Sequence, residues 1–189
     1  ASVFDSAMAE ELGRLLWAMA EPAQSARVRA ALATAAAGVS ADQLLALEAD
    51  EAGWDEWVAR FHLYQGLWQT RGFLRALHTL CEALKVSARL LALPDGERRY
   101  TDLWHLAELL HEEEQRTRKG PHALLDFYRR VREGSAAREG MALEDVQVRL
   151  ESDARAVTLT TIHKSKGLEY PIVYCPYLWV SSQLMNGDK

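Results

Sequence analysis

The apolar residues of this chain keep one spacing for its first two-thirds and another for the rest. From Val3 to Val131 they recur at steps of three to five, the repeat of a helix face. After Gly140 they alternate with polar residues, the repeat of a strand. A helical repeat cannot bury its apolar side as a strand, nor the reverse. The chain therefore has to form a helical block joined to a separate, short strand-bearing piece. Of its 189 residues 49% are hydrophobic, which supplies a core and excludes a disordered chain.

The helices can be placed in order. Val3, Met8, Leu12, Leu15, Leu16 and Met19 form a stripe that stops before Pro22. An Ala-rich stretch over 23–37 presents Val28, Ala31 and Leu32, and Gly38 is its expected stop. Ser40 with Gln43 makes a capping box for a helix carrying Leu44, Leu45 and Leu47. Trp54, Trp57, Val58, Phe61, Tyr64 and Trp68 give the strongest periodic signal. Their spacing assigns them to the core rather than to a base-stacking platform. Phe73 to Leu84 follows Gly72, and Leu93-Pro94-Asp95-Gly96 reads as a turn. Thr101 is the expected cap of the next helix, and Glu112-Glu113-Glu114 its solvated end. Pro121 is placed to open a last helix with Leu124, Leu125, Tyr128 and Val131.

Glu133 to Gly140 is rich in Gly and small polar residues and reads as a flexible joint. Beyond it Val146, Val148 and Leu150, then Val157, Leu159 and Thr161, alternate as strands. Ile172, Val173 and Tyr174 read as a buried strand. The expected fold is mainly α, with a strand-turn-strand tail: residues 1–132 helical, 133–142 joint, 143–189 tail.

Several function classes are excluded or disfavoured. The net charge of −5 argues against a wholesale basic nucleic-acid coat, though not against a local basic site. Cys81 and Cys175 have no paired spacing, so neither a disulfide scaffold nor a zinc site is expected. Both read as buried small hydrophobes in a reducing, cytoplasmic setting. No run approaches the ~20 apolar residues of a membrane span, and the first residues do not read as a signal peptide. The chain lacks a starting Met and its end closes no pattern, as expected of a piece of a longer protein. Asp50-Glu51 follows no apolar strand and is read as helix surface. The phosphate loop Gly-x-x-x-x-Gly-Lys-[Ser/Thr] is absent from all 189 residues, and no catalytic or metal-binding motif replaces it.

Chemistry concentrates between the last two strands, in Thr160-Thr161-Ile162-His163-Lys164-Ser165-Lys166-Gly167-Leu168-Glu169. In an open α/β sheet ligands bind beyond the C-terminal ends of strands. Hydroxyl and ammonium groups there suit phosphodiester oxygens. Gly167 permits close backbone approach, and Glu169 offers acceptors to a ribose hydroxyl. On the residues alone a plain surface loop fits equally well.

Thr158 to Pro171 resembles motif V of superfamily 1 DNA helicases of the UvrD/Rep type. Its His-Lys-Ser-Lys-Gly-Leu-Glu form is similar to that of helicase–nucleases that process double-strand breaks. Tyr170-Pro171, Arg149-Leu150-Glu151-Ser152-Asp153, Gly96 to Leu103 and Ser2-Val3-Phe4 extend the resemblance, with gaps, to RecB-type subunits of exodeoxyribonuclease V. The resemblance implies a parent that is an ATP-dependent 3′–5′ DNA helicase and exonuclease subunit, using ATP and Mg2+. It would act on single- and double-stranded DNA with RecC-like and RecD-like subunits. Residues 1–132 would be the helical insertion known as 2B. Residues 143–189 would be the return into the RecA-like motor domain 2A. Thr161 and His163 would contact the DNA backbone, and Lys164 and Lys166 would add positive potential beside it. Gly167 and Glu169 would serve the nucleotide, Glu169 at its ribose. With the phosphate loop and the motif VI arginine outside the chain, the piece alone is expected to be inactive. Two alternatives are an AddA-type component of a helicase–nuclease and a stand-alone helical interaction module whose tail merely resembles motif V.

Overall fold

The computed structural model describes residues 2–118, 120–134 and 172–175. The chain divides into two compact units, Ala1–Glu151 and Ser152–Lys189. Among the described residues the fold is mainly α, as the periodicity requires. A 3-10 turn, Val3–Asp5, precedes eight helices: α1 (Ala7–Ala20), α2 (Ser25–Leu32), α3 (Ala41–Ala49), α4 (Glu51–Arg71), α5 (Phe73–Ala83), α6 (Val86–Leu91), α7 (Gly96–Thr117) and α8 (Pro121–Arg132). Apart from Ile172–Cys175, the strand-turn-strand tail lies outside the described residues, as do residues 135–142 of the joint.

Helix α1 is the centre of the first unit. It packs against α2, α4, α7 and α8. Met8, Leu12, Leu15, Leu16 and Met19 are wholly buried, so the predicted stripe is the inner face. Ser6 starts the helix by accepting the Ala9 N–H at 3.1 Å. The Ser40–Gln43 capping box forms in both directions at the start of α3. Asp50 caps α4 through the Gly53 N–H, so this acid is indeed helix surface. The Ala-rich stretch ends as helix at Leu32. Gly38 is therefore not its stop: Ala33 caps the helix, and turns follow to Gly38, which is left-handed at φ +68°.

The aromatic stripe of α4 divides along its length. Phe61, Tyr64 and Trp68 are buried, while Trp54 and Trp57 at the other end are half-buried. The guanidinium groups of Arg29 and Arg60 lie over these two rings, 5.2 and 4.7 Å from their centroids.

Two expectations at α7 are corrected. Thr101 does not cap this helix; it lies inside it, because α7 begins at Gly96 directly after the Pro94-Asp95 turn. The acidic run does not end α7 entirely in solvent either. Glu114 is only 12% exposed. Its carboxylate accepts the Phe73 N–H at 3.0 Å and the Trp68 indole N–H at 3.1 Å. A donor at the bare N-terminus of α5 is thereby satisfied from a neighbouring helix. Gly72, with φ +88°, makes the turn that brings α5 there. The helix then ends at Arg118, itself left-handed at φ 51°.

Candidate functional site

Thr161, His163, Lys164, Lys166, Gly167 and Glu169 all lie outside the described residues. Four residues just beyond them are described. Ile172–Cys175 carries no strand, and Ile172, Val173 and Tyr174 are 88%, 65% and 88% exposed. The sequence reads this run as a buried strand. Burial of a strand requires neighbours on its faces and on its backbone N–H and C=O groups, and alternation or apolar runs in one segment do not supply them. Cys175 is likewise exposed rather than buried, whereas Cys81 is buried as expected. Burial pushes the Cys81 thiol up to about 12, which leaves it inert as a nucleophile.

In the helical unit the first residues meet the last helix. Arg132, the last residue of α8, donates from Nε to the Phe4 carbonyl oxygen at 3.4 Å. The rings of Phe4 and Tyr128 stand 5.7 Å apart. The Tyr128 hydroxyl donates to the Ala9 carbonyl oxygen at 2.5 Å, deep enough in the core for burial to push its pKa up. Gly13 lets α1 approach the Tyr128 ring: a Cβ there would stand 3.1 Å from Cε1. Tyr128 and Val131 were legible as core. Their role in holding the first residues of the chain was not, because no short-range pattern links residue 4 to residue 132.

The segment Gly96–Leu103 proves architectural. A Cβ on Gly96 would overlap the Leu90 carbonyl oxygen. Arg99 bridges Asp95 at 2.9 Å and Glu11 of α1 at 2.8 Å. Its hydrogen bond to Asp95 holds that carboxyl below the usual range. The other Glu11 oxygen accepts the Ala36 N–H at 3.0 Å, which ties α1, α7 and the loop after α2 together. Asp102 is buried, and its Oδ1 has no hydrogen-bond partner among the described residues. Burial raises its pKa; Arg98, His105 and Ser6 pull the other way. These contacts position α1, α6 and α7.

Among the described residues no group of three or more His, Cys, Asp or Glu could hold a metal ion, and no helix is long and apolar enough to cross a membrane.

Comparison with known proteins supplies the context. The RecB subunit of the RecBCD enzyme of Haemophilus influenzae is 38% identical over 182 residues, which is 96% of this chain and 14% of that protein. The corresponding subunit of Escherichia coli is 38% identical over 178 residues, 94% of this chain and 15% of that protein. An ATP-dependent helicase/nuclease protein of Lactiplantibacillus plantarum is 36% identical over 83 residues, 43% of this chain and 6% of that protein. The chain thus spans about one-seventh of the length of the RecB relatives. The family described as the UvrD-like helicase C-terminal domain matches residues 15–179, most of the chain. The chain belongs to the UvrD-like helicase C-terminal domain family.

Proposed function

We propose that the chain is the part of a RecB-type subunit in which a helical insertion returns to an ATP-driven motor domain. The parent protein is then an ATP-dependent 3′–5′ DNA helicase and exonuclease subunit, acting in double-strand break repair and recombination. The observation that carries this reading is the extent of the similarity. RecB subunits match 94–96% of the chain in Haemophilus and Escherichia, whereas the match to the Lactiplantibacillus helicase/nuclease covers 43%. That contrast favours the RecB-type reading over the AddA-type one. A stand-alone interaction module would give no reason for the match to continue to residue 179.

The meeting of Phe4 with Arg132 and Tyr128 supports the division of the chain into an insertion, 1–132, and a motor segment, 143–189. A block whose ends lie side by side can sit within a host domain without separating the host's own elements. In the motor segment Thr161 and His163 contact the DNA backbone, and Lys164 and Lys166 raise the positive potential beside it. Gly167 lets the backbone turn near the nucleotide, and Glu169 accepts from the ATP ribose. One short element then touches DNA and nucleotide together, so a change at one alters the affinity for the other. ATP with Mg2+ supplies the energy in the parent. The phosphate loop and the finger arginine come from parts of the parent outside this chain, so the chain alone binds DNA weakly and hydrolyses no ATP. RecC-like and RecD-like subunits complete the enzyme.

The test is ATP hydrolysis by the purified full-length parent, alone and with its companion subunits. Hydrolysis stimulated by single-stranded DNA, with unwinding that starts from a 3′ strand, is the expected result. Hydrolysis indifferent to DNA would contradict the reading.

A further inference from the structure

Helix α3 has nine residues and none of them is buried. An isolated helix of that length is marginal in water and ordinarily owes its stability to a buried face. Its main packing partner is α4, and it reaches α2 through the exposed ion pair of Arg29 with Glu48 at 3.1 Å. None of its apolar residues is fully buried: Leu45 is 67% exposed, and Leu44 and Leu47 are half-buried where they pack against the edge of the core. The first ten residues of α4, against which it lies, are no better covered. Trp54, Trp57 and Val58 are all half-buried. Two adjoining helices thus carry six large apolar side chains, two of them tryptophan, of which Leu44, Leu47, Trp54 and Trp57 pack against the core and none is fully buried. Tryptophans in such a setting are characteristic anchors of protein interfaces.

The charge around these residues narrows the occupant. Residues 41–60 hold six acids, Asp42, Glu48, Asp50, Glu51, Asp55 and Glu56, against one base, Arg60. All six acids are exposed. Arg60 is already committed to Glu56 and to the Trp57 ring. Nucleic acid is repelled by such a rim. A second copy of the chain related by a two-fold axis would set six carboxylates against six. A protein surface with an apolar centre ringed by Lys and Arg is matched in both shape of chemistry and sign of charge.

We propose that the face formed by α3 and the first half of α4 is a protein-docking surface, and that its occupant is a basic-rimmed patch on a companion subunit of the parent enzyme. This rests on the reading of the parent as one subunit of a multi-subunit helicase. Two helices side by side, each about 14 Å long and about 10 Å wide, offer roughly 300 Å². A standard interface takes about 800 Å² per partner, so this face is one anchor within a larger contact.

The experiment uses the full-length parent and its purified companion subunits, with association measured at low and moderate salt. Leu45→Arg removes an exposed apolar side chain and adds a charge of the partner's sign without touching the core. It is expected to weaken association at least tenfold. The pair Glu51→Lys and Asp55→Lys is expected to weaken association and to flatten its decline with salt. DNA-stimulated ATP turnover by the parent alone should stay unchanged in both. Association unaltered by either variant would overturn the assignment of this face. So would a fall in DNA affinity, or loss of self-association in place of partner binding. If the wild-type parent bound none of its companion subunits, the reading of the parent would fall with it.

Discussion

At the scale of single residues, the positions that decide stability are those where a side chain answers a partner far away in sequence. Gly96 is the sharpest case, since a methyl group there meets the Leu90 carbonyl oxygen and backbone cannot yield as a side chain can. Gly96→Ala should cost about 3 kcal/mol in chemical denaturation. Glu114→Ala leaves the Phe73 N–H and the Trp68 indole without an acceptor and should cost about 2 kcal/mol. Glu114→Gln, which keeps an oxygen in place, should cost less than half as much. Asp102 gives a dependence on pH. A carboxyl raised above its ordinary value holds its proton more tightly folded than unfolded, so its charge opposes folding as pH rises through the folded pKa. Asp102→Asn should therefore gain stability relative to wild type as pH rises from about 4 and level off above the folded pKa. A pH-independent difference would show that the carboxyl is not strained by burial. None of these roles was legible in the sequence. Thr101 looked like a cap and Glu114 like a solvated acid, because local patterns report what a residue suits and not which helix will arrive beside it.

At the scale of helices the sequence was far more informative. The stripe from Val3 to Met19 is buried as spaced, the Ser40–Gln43 box forms, and Pro121 opens α8. These features depend on neighbours within a turn or two, which a sequence does contain. Trp54 and Trp57 mark the limit. They share their spacing with Phe61, Tyr64 and Trp68, yet they lie where α4 has no helix fully over it. Helix α8 is the element that closes the block on itself. Tyr128→Phe removes only the hydrogen bond to the Ala9 carbonyl. It should lower stability by about 1 kcal/mol, with protease cleavage appearing first near the α1 and α8 ends. Equal protection of those ends in variant and wild type would mean that apolar packing alone holds α8.

For the whole molecule, the described architecture and the segment proposed to carry chemistry occupy different parts of the chain. The architecture occupies 2–134, and its helices follow from composition and period. The chemistry proposed for 158–171 rests on the resemblance, because hydroxyls and lysines in a loop suit a phosphate backbone and plain solvent alike. The central claim is that in the parent this one segment contacts DNA through His163 and the nucleotide through Glu169. It is tested most directly by measuring ATP turnover of the full-length parent against DNA concentration and ATP concentration separately, in His163→Ala and Glu169→Ala. His163→Ala should raise the DNA concentration needed for half-maximal stimulation about fivefold or more, as expected for one lost hydrogen bond of about 1 kcal/mol, with the ATP dependence at saturating DNA unchanged. Glu169→Ala should do the converse, raising the ATP concentration needed and leaving the DNA dependence at saturating ATP alone. If both variants only lowered the melting temperature and left both dependences as in wild type, the segment would be a structural loop and the account would be wrong.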